Sequence, residues 1–193
     1  MKKYFLGVLI LSGNIVFFAC NNQNKNSFEE SQVADENTLQ GTDTLIGMNT
    51  VNESDAKFMV EMAGLFMVDV EVGNLATQRS IQNPVRNMSG QILKDHTSAL
   101  DELKILASLK NVTLPLSLNN QHQSWLEELQ NIPETEFGKK YLSIIIDTHE
   151  ESVKKFEKAA NNLKSPEVKM FASRSLVFLR NHLDSARILK EKM

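Results

Sequence analysis

Apolar residues recur at three- and four-residue spacing through four long stretches, the mark of helices that bury one face. From Glu53 to Ser80 that face carries Phe58, Met62, Leu65, Asp69, Val72 and Ala76, with Ser54 the expected N-cap. From Pro84 to Lys110 it carries Val85, Met88, Ile92, His96, Ala99, Leu103 and Leu106, and Pro84 suits a first helical turn. A third helix is predicted from Glu134 to Leu163, with Leu142, Ile145, His149, Ser152, Phe156 and Ala160 inward. Ser165 caps a fourth, opened by Pro166, with Val168, Phe171, Ser175, Phe178, His182, Ala186 and Leu189 inward.

Between the second and third helices, Asn111 to Pro133 is a connection broken by Pro115 and Pro133. It holds a short amphipathic helix, Asn120 to Gln130, whose Trp125, Leu126 and Leu129 suggest a cover packed on the bundle. His122 is expected to face solvent. A connection this long can cross a whole bundle, so antiparallel neighbours do not follow from the pattern. The run Ile144 to Ile146 is β-branched but embedded in a helical period. The expected fold is all-α: a four-helix bundle with an additional short helix between its second and third long helices.

The inward stripes are apolar except where the chemistry is. His96, His149 and His182 fall one apiece near the middle of three helices, and Asp69 near the middle of the fourth. Midpoints coincide whether neighbours run parallel or antiparallel, so a single layer of three imidazoles and a carboxylate is expected. Asp95 and Asp147 lie beside two of the histidines as residues able to fix an imidazole tautomer.

Residues 1–52 differ in kind from the rest. Lys2 and Lys3 precede an apolar run from Tyr4 to Phe18, and Ala19 precedes Cys20, the single cysteine. A small residue before cysteine at the end of a signal sequence resembles a bacterial lipobox, although Phe17 stands where leucine is more usual. The expectation is a signal peptide over 1–19, lipidation at Cys20, and a lipoprotein held on a membrane facing the periplasm or cell exterior, the outer membrane included. Acylation also removes the lone thiol of an exported chain. Residues 21–52 are rich in Asn, Gln, Ser, Thr, Glu and Asp and form a polar tether. The bundle domain is expected over 53–193.

Without Lys2 and Lys3, 19 basic residues face 24 acidic ones, a net charge of −5, from 21 and 24 in the whole chain. An evenly mixed, mildly acidic surface gives nucleic acid no electrostatic foothold. Lys154, Lys155 and Lys158 interleave with Glu150, Glu151 and Glu157 and read as a solvated face. No nucleophile elbow or glycine-rich phosphate loop is present in the sequence, and the expectation is a non-enzymatic protein.

Five segments carry a resemblance: DVEVGNLA (Asp69–Ala76), VRNMSGQILKDHT (Val85–Thr97), VTLP (Val112–Pro115), FGKKYLSIIIDTH (Phe137–His149) and VKMFASRSLVFLRNHLDSA (Val168–Ala186). Together they resemble the exported bacterial domain of unknown function family numbered 4142. The resemblance implies a ferritin-like bundle and lends no established activity. His96, His149 and His182 match its histidine positions, and Tyr141 matches an aromatic two turns before His149. Asp69 stands where glutamate is usual, Gly138 in place of an aspartate, and Val177 in place of a proline.

Two chemistries compete for the polar layer. Asp69, His96, His149 and His182 suit one transition metal ion, whether zinc, copper, iron or manganese, with Asp95, Asp147 and Tyr141 behind them. The same side chains, with Ser152 and Ser175, also suit a hydrogen-bonded layer that fixes helix register. A carboxylate-bridged di-iron centre wants Glu three residues before His; here Leu93, Ile146 and Leu179 stand there. Met62 and Met88 lie about two turns from the layer and are core fillers. A further expectation is an exposed apolar patch around Trp125 that engages an envelope protein partner.

Overall fold

The computed structural model describes residues 51–193. The expected signal peptide, Cys20 and nearly all of the expected tether therefore lie outside the described residues. Five helices are present: α1 Glu53–Arg79, α2 Asn83–Leu109, α3 Asn120–Asn131, α4 Glu134–Asn162 and α5 Pro166–Glu191. Among the described residues there is no strand, and no helix is long and apolar enough to cross a membrane.

The helix ends follow local chemistry. Asn52, not Ser54, caps α1: its Oδ1 accepts the Ser54 amide at 3.0 Å, because a cap serves amides two or three residues on. α2 ends at Leu109, and Asn111, just past its C-cap Lys110, takes φ 55°, a conformation accessible to asparagine. Val112 N–H then reaches Ala107 O at 2.8 Å and Asn111 N–H reaches Ser108 O at 3.2 Å, the paired bonds of a Schellman ending. Ser165 caps α5 through the Val168 amide, ahead of Pro166. Asp55, 1% exposed, accepts the amides of Lys164 and Ser165 at 2.9 and 2.8 Å, which pins the α4–α5 turn to the start of α1.

α1–α2 and α4–α5 are tight pairs joined by short turns, and the pairs meet through α1–α4 and α2–α5. Asp55 of α1 meets the end of α4, and Arg79 lies 5.0 Å from the ring centroid of Phe137 at its start, so α1 and α4 are antiparallel. Lys110–Glu167 and Glu102–Arg174 show the same for α2 and α5. Among the four long helices every neighbouring pair is thus antiparallel, while the diagonal helices α2 and α4 run parallel. The α2–α4 connection must climb the length of the bundle, the single long crossover of ferritin-like topology. α3 belongs to that crossover and packs on α1 and α4. Arg79 fastens its end by donating to the carbonyls of Gln130 and Ile132, each at 2.8 Å.

Two apolar clusters fill the interior. One contains Phe58, Met59, Met62, Phe66, Leu103, Phe156 and Phe171. The other contains Val72, Val85, Ile92, Leu129, Phe137, Tyr141 and Ile145. Between them lies the histidine layer. Met62 and Met88 are core residues, one in each cluster. Trp125 is half-buried against the second cluster and 5.3 Å from His122, so it is a packing residue more than an exposed patch. His122, expected in solvent, is only 6% exposed, because the path of the crossover lays α3 on α1 and α4. Ala160 is half-buried where Ala159 is buried, a small change of phase at the end of α4.

Candidate metal centre

α1, α2, α4 and α5 each bring one predicted residue to the layer. Asp69, His96 and His149 are fully buried and His182 is 5% exposed. His96 Nε2 lies 3.2 Å from His149 Nε2, which lies 3.4 Å from His182 Nδ1. One ring nitrogen from each of the three lies within 4.8 Å of the others. The three imidazoles converge as expected, but two present Nε2 and the third presents Nδ1.

The outward nitrogens face other groups. His96 Nδ1 is 3.3 Å from Asp69 Oδ2 and His149 Nδ1 is 3.9 Å from the same oxygen. His182 Nε2 is 3.0 Å from Asp95 Oδ2, which also accepts from Gln91 at 2.8 Å. Asp69 therefore stands behind two rings instead of joining the three converging nitrogens.

Asp95 is one residue from His96 and so about 100° around α2. That rotation turns it toward α5, where it supports His182 and not its sequence neighbour. Asp147, two residues before His149, is rotated about 200° and is exposed; it holds no imidazole. Tyr141 is buried, stacked parallel to Phe137 at 6.4 Å, and its hydroxyl bonds to no histidine.

Thr148 is the residue that sequence reasoning missed. It is fully buried, donates to Asp69 Oδ1 at 2.7 Å, and lies 3.2 Å from His149 Nδ1. The signal was there: Ile145, Thr148 and Ser152 are also spaced by three and four, so α4 presents two adjacent inward residues at this level. Phe66 meets the His96 ring edge-on at 4.9 Å, and Phe178 lies 5.3 Å from His96 and 5.5 Å from His182. These rings wall the layer on the side of the first cluster.

Burial governs the protonation states. It pushes the Asp69 carboxyl up to about 8, against the Thr148 hydrogen bond. His149 is pushed down to about 3 by burial and then by its neighbour His182. Burial first, with His149 and His182 next, holds His96 well below its ordinary value. His182 is lowered less freely, since Asp95 opposes the effect of burial. Burial also raises the Tyr141 hydroxyl. Three neutral imidazoles are thus the favoured state of the layer, which is the state that ligates metals.

The fold and the centre define an all-α, ferritin-like bundle with a buried cluster of three histidines suited to hold a metal ion. The family described as "Domain of unknown function (DUF4142)" matches residues 43–189, and the chain belongs to it. No curated protein matches. Among solved structures, a DUF305 fragment from Deinococcus radiodurans is similar at TM-score 0.68 and 14% identity, over 75% of this chain and 99% of that one. A DUF305 protein from Streptomyces coelicolor, whose name marks it provisionally as secreted, is similar at TM-score 0.62 and 13% identity, over 70% and 91%. At these identities the likeness is one of fold.

Proposed function

We propose that the layer is a mononuclear transition-metal site in an exported, lipid-anchored envelope protein that stores, senses or delivers the ion. His96 Nε2, His149 Nε2 and His182 Nδ1 are the ligands, and Asp69 and Asp95 orient them from behind. One observation carries this. His149 Nε2 is shared between two contacts, at 3.2 and 3.4 Å. An imidazole nitrogen holds either one proton or one lone pair, so it completes one good hydrogen bond and not two. A cation satisfies all three nitrogens at once.

The spacing and charge agree with this. Ligands at about 2.0–2.1 Å from a tetrahedral zinc lie about 3.3–3.4 Å apart, which matches two of the three separations, His96–His149 at 3.2 Å and His149–His182 at 3.4 Å. Carboxylates behind metal-bound histidines draw the N–H outward and leave the lone pair facing the ion. Beside a bound cation Asp69 would give up the proton that burial favours, and with Asp95 it would then match the charge of a divalent ion. Imidazole donors admit zinc, copper and iron, and manganese less readily.

Holding an ion fits better than turning over a substrate. His96 and His149 are fully buried, and the cleft of about 390 Å³ between α1 and α4 is lined by Ser54, Lys57, Phe58, Glu61 and Lys155, with no histidine of the layer. Export is supported by the lipobox-like Ala19–Cys20 and by the name of the Streptomyces relative.

A hydrogen-bonded structural layer is the second reading, favoured by the 2.7 Å Thr148–Asp69 bond, which already fixes α4 to α1. Elemental analysis of protein purified without a histidine tag separates the two, beside a His96→Ala/His149→Ala/His182→Ala variant checked for helicity. Near-stoichiometric metal in the parent alone supports the site. No metal in either, after incubation with zinc, copper, iron and manganese, leaves the layer structural.

A further inference from the structure

The layer is not equally sealed on all sides. α1 and α4 meet under the crossover helix α3, and Asp69 and Thr148 on that side are fully buried. The α4–α5 seam is one of the tight pairs and is spanned by Arg180–Glu157 and Arg187–Glu150. Among the described helices, α3 is the additional one and it packs on α1 and α4, so the α2–α5 seam has no helix laid across it, and its ion pairs, Lys110–Glu167 and Glu102–Arg174, lie past the level of His96 toward the end of α2.

His182 sits at that seam. It is the one ligand of the three with measurable exposure, and its outer nitrogen is held by a carboxylate whose side chain is 25% exposed. Asp95 is in turn tied to Gln91, an exposed residue. On the other flank, half-buried Phe178 lies 5.5 Å from the His182 ring. His96 and His149 have no such path: their outer nitrogens face buried Asp69 and Thr148.

Resting on the metal site proposed above, we infer that the ion is exchanged through the α2–α5 seam, with His182 the swinging ligand and Asp95 its latch. Releasing the Asp95 bond frees the imidazole to turn out of the layer, while His96 and His149 stay fixed. The inner pair retains the ion until a competing ligand takes the third position. This is how a fully buried centre serves delivery without unfolding the bundle.

The test is stopped-flow exchange of cobalt(II), measured as uptake by the metal-free protein and as release to a chelator. Asp95→Ala is expected to speed uptake at least tenfold and release by more, so that the dissociation constant also weakens, as for any lost orienting carboxylate. Asp95→Asn, which keeps an acceptor for His182, is expected to return both rates toward the parent. Thr148→Val, on the closed side, is expected to change release without speeding uptake. Faster release with unchanged uptake in Asp95→Ala would reduce Asp95 to a support of affinity and overturn the latch. Unchanged rates would also overturn it while leaving the site intact. Failure of the parent to bind cobalt or zinc would overturn the site and the latch together.

Discussion

Asp69 Oδ2 lies 3.3 Å from His96 Nδ1, on the edge of that ring turned away from the other two histidines. The two atoms approach without a completed hydrogen bond, and in the proposed site the carboxylate sets the direction of the imidazole instead of occupying the centre. Asp69→Ala is expected to weaken metal binding by about 10–100-fold, the usual effect of losing such a support. It also strips a partner from the Thr148 hydroxyl, so the metal-free protein should lose about 1–3 kcal/mol in urea unfolding. An unchanged dissociation constant would show that Asp69 does not orient His96.

Asp147 offers the opposite expectation. It is exposed, on the far side of α4 from His149. Asp147→Ala should leave metal affinity unchanged and stability within about 0.5 kcal/mol, as at other surface positions. A loss of affinity comparable to that of Asp69→Ala would mean that α4 is turned from its described phase.

These two aspartates mark where the sequence was legible and where it was not. The four long helices and the level of the layer follow from apolar spacing and from histidines at helix midpoints. A period places a residue on a face but does not choose its partner across a gap. So Asp95 stands beside His96 in the sequence, yet its bond is to His182 on α5. The choice of Nδ1 in His182 and Nε2 in the other two depends on side-chain rotation, which leaves no trace in spacing. Burial of His122 is not legible in the spacing either, because it depends on the route of the crossover, a property of the whole bundle.

The metal-free protein should be most stable near pH 6–6.5. The histidines of the layer are held below their ordinary 6.5, His149 at about 3. Their contribution is present above 6.5 and is lost as pH falls, because the unfolded chain binds protons that the folded one refuses. Asp69 acts in the other direction: it is raised from 3.8 to about 8, so its contribution is lost as pH rises through that window. Below 6.5 three histidines outweigh one carboxyl; above it Asp69 acts alone until about 8. Urea unfolding from pH 4.5 to 8.5 reads both slopes. A midpoint that keeps rising to pH 8 would contradict a protonated, buried Asp69.

Asp55 separates the stability of the bundle from the occupancy of its centre. It accepts two backbone amides, of Lys164 and Ser165, at 1% exposure, and no histidine contact is among its bonds. Asp55→Ala leaves both amides without their acceptor at a tight turn, at about 1–3 kcal/mol each. Unfolding should therefore occur at markedly lower urea. Metal affinity should remain within about threefold, because the layer lies near the helix midpoints and Asp55 near the bundle end. Asp69→Ala is expected to lower both quantities, Asp55→Ala only the first. Were Asp55→Ala to weaken metal binding as strongly as Asp69→Ala, the affinity loss in either variant would reflect loosening of the whole bundle, and the orienting role of Asp69 would fall with it.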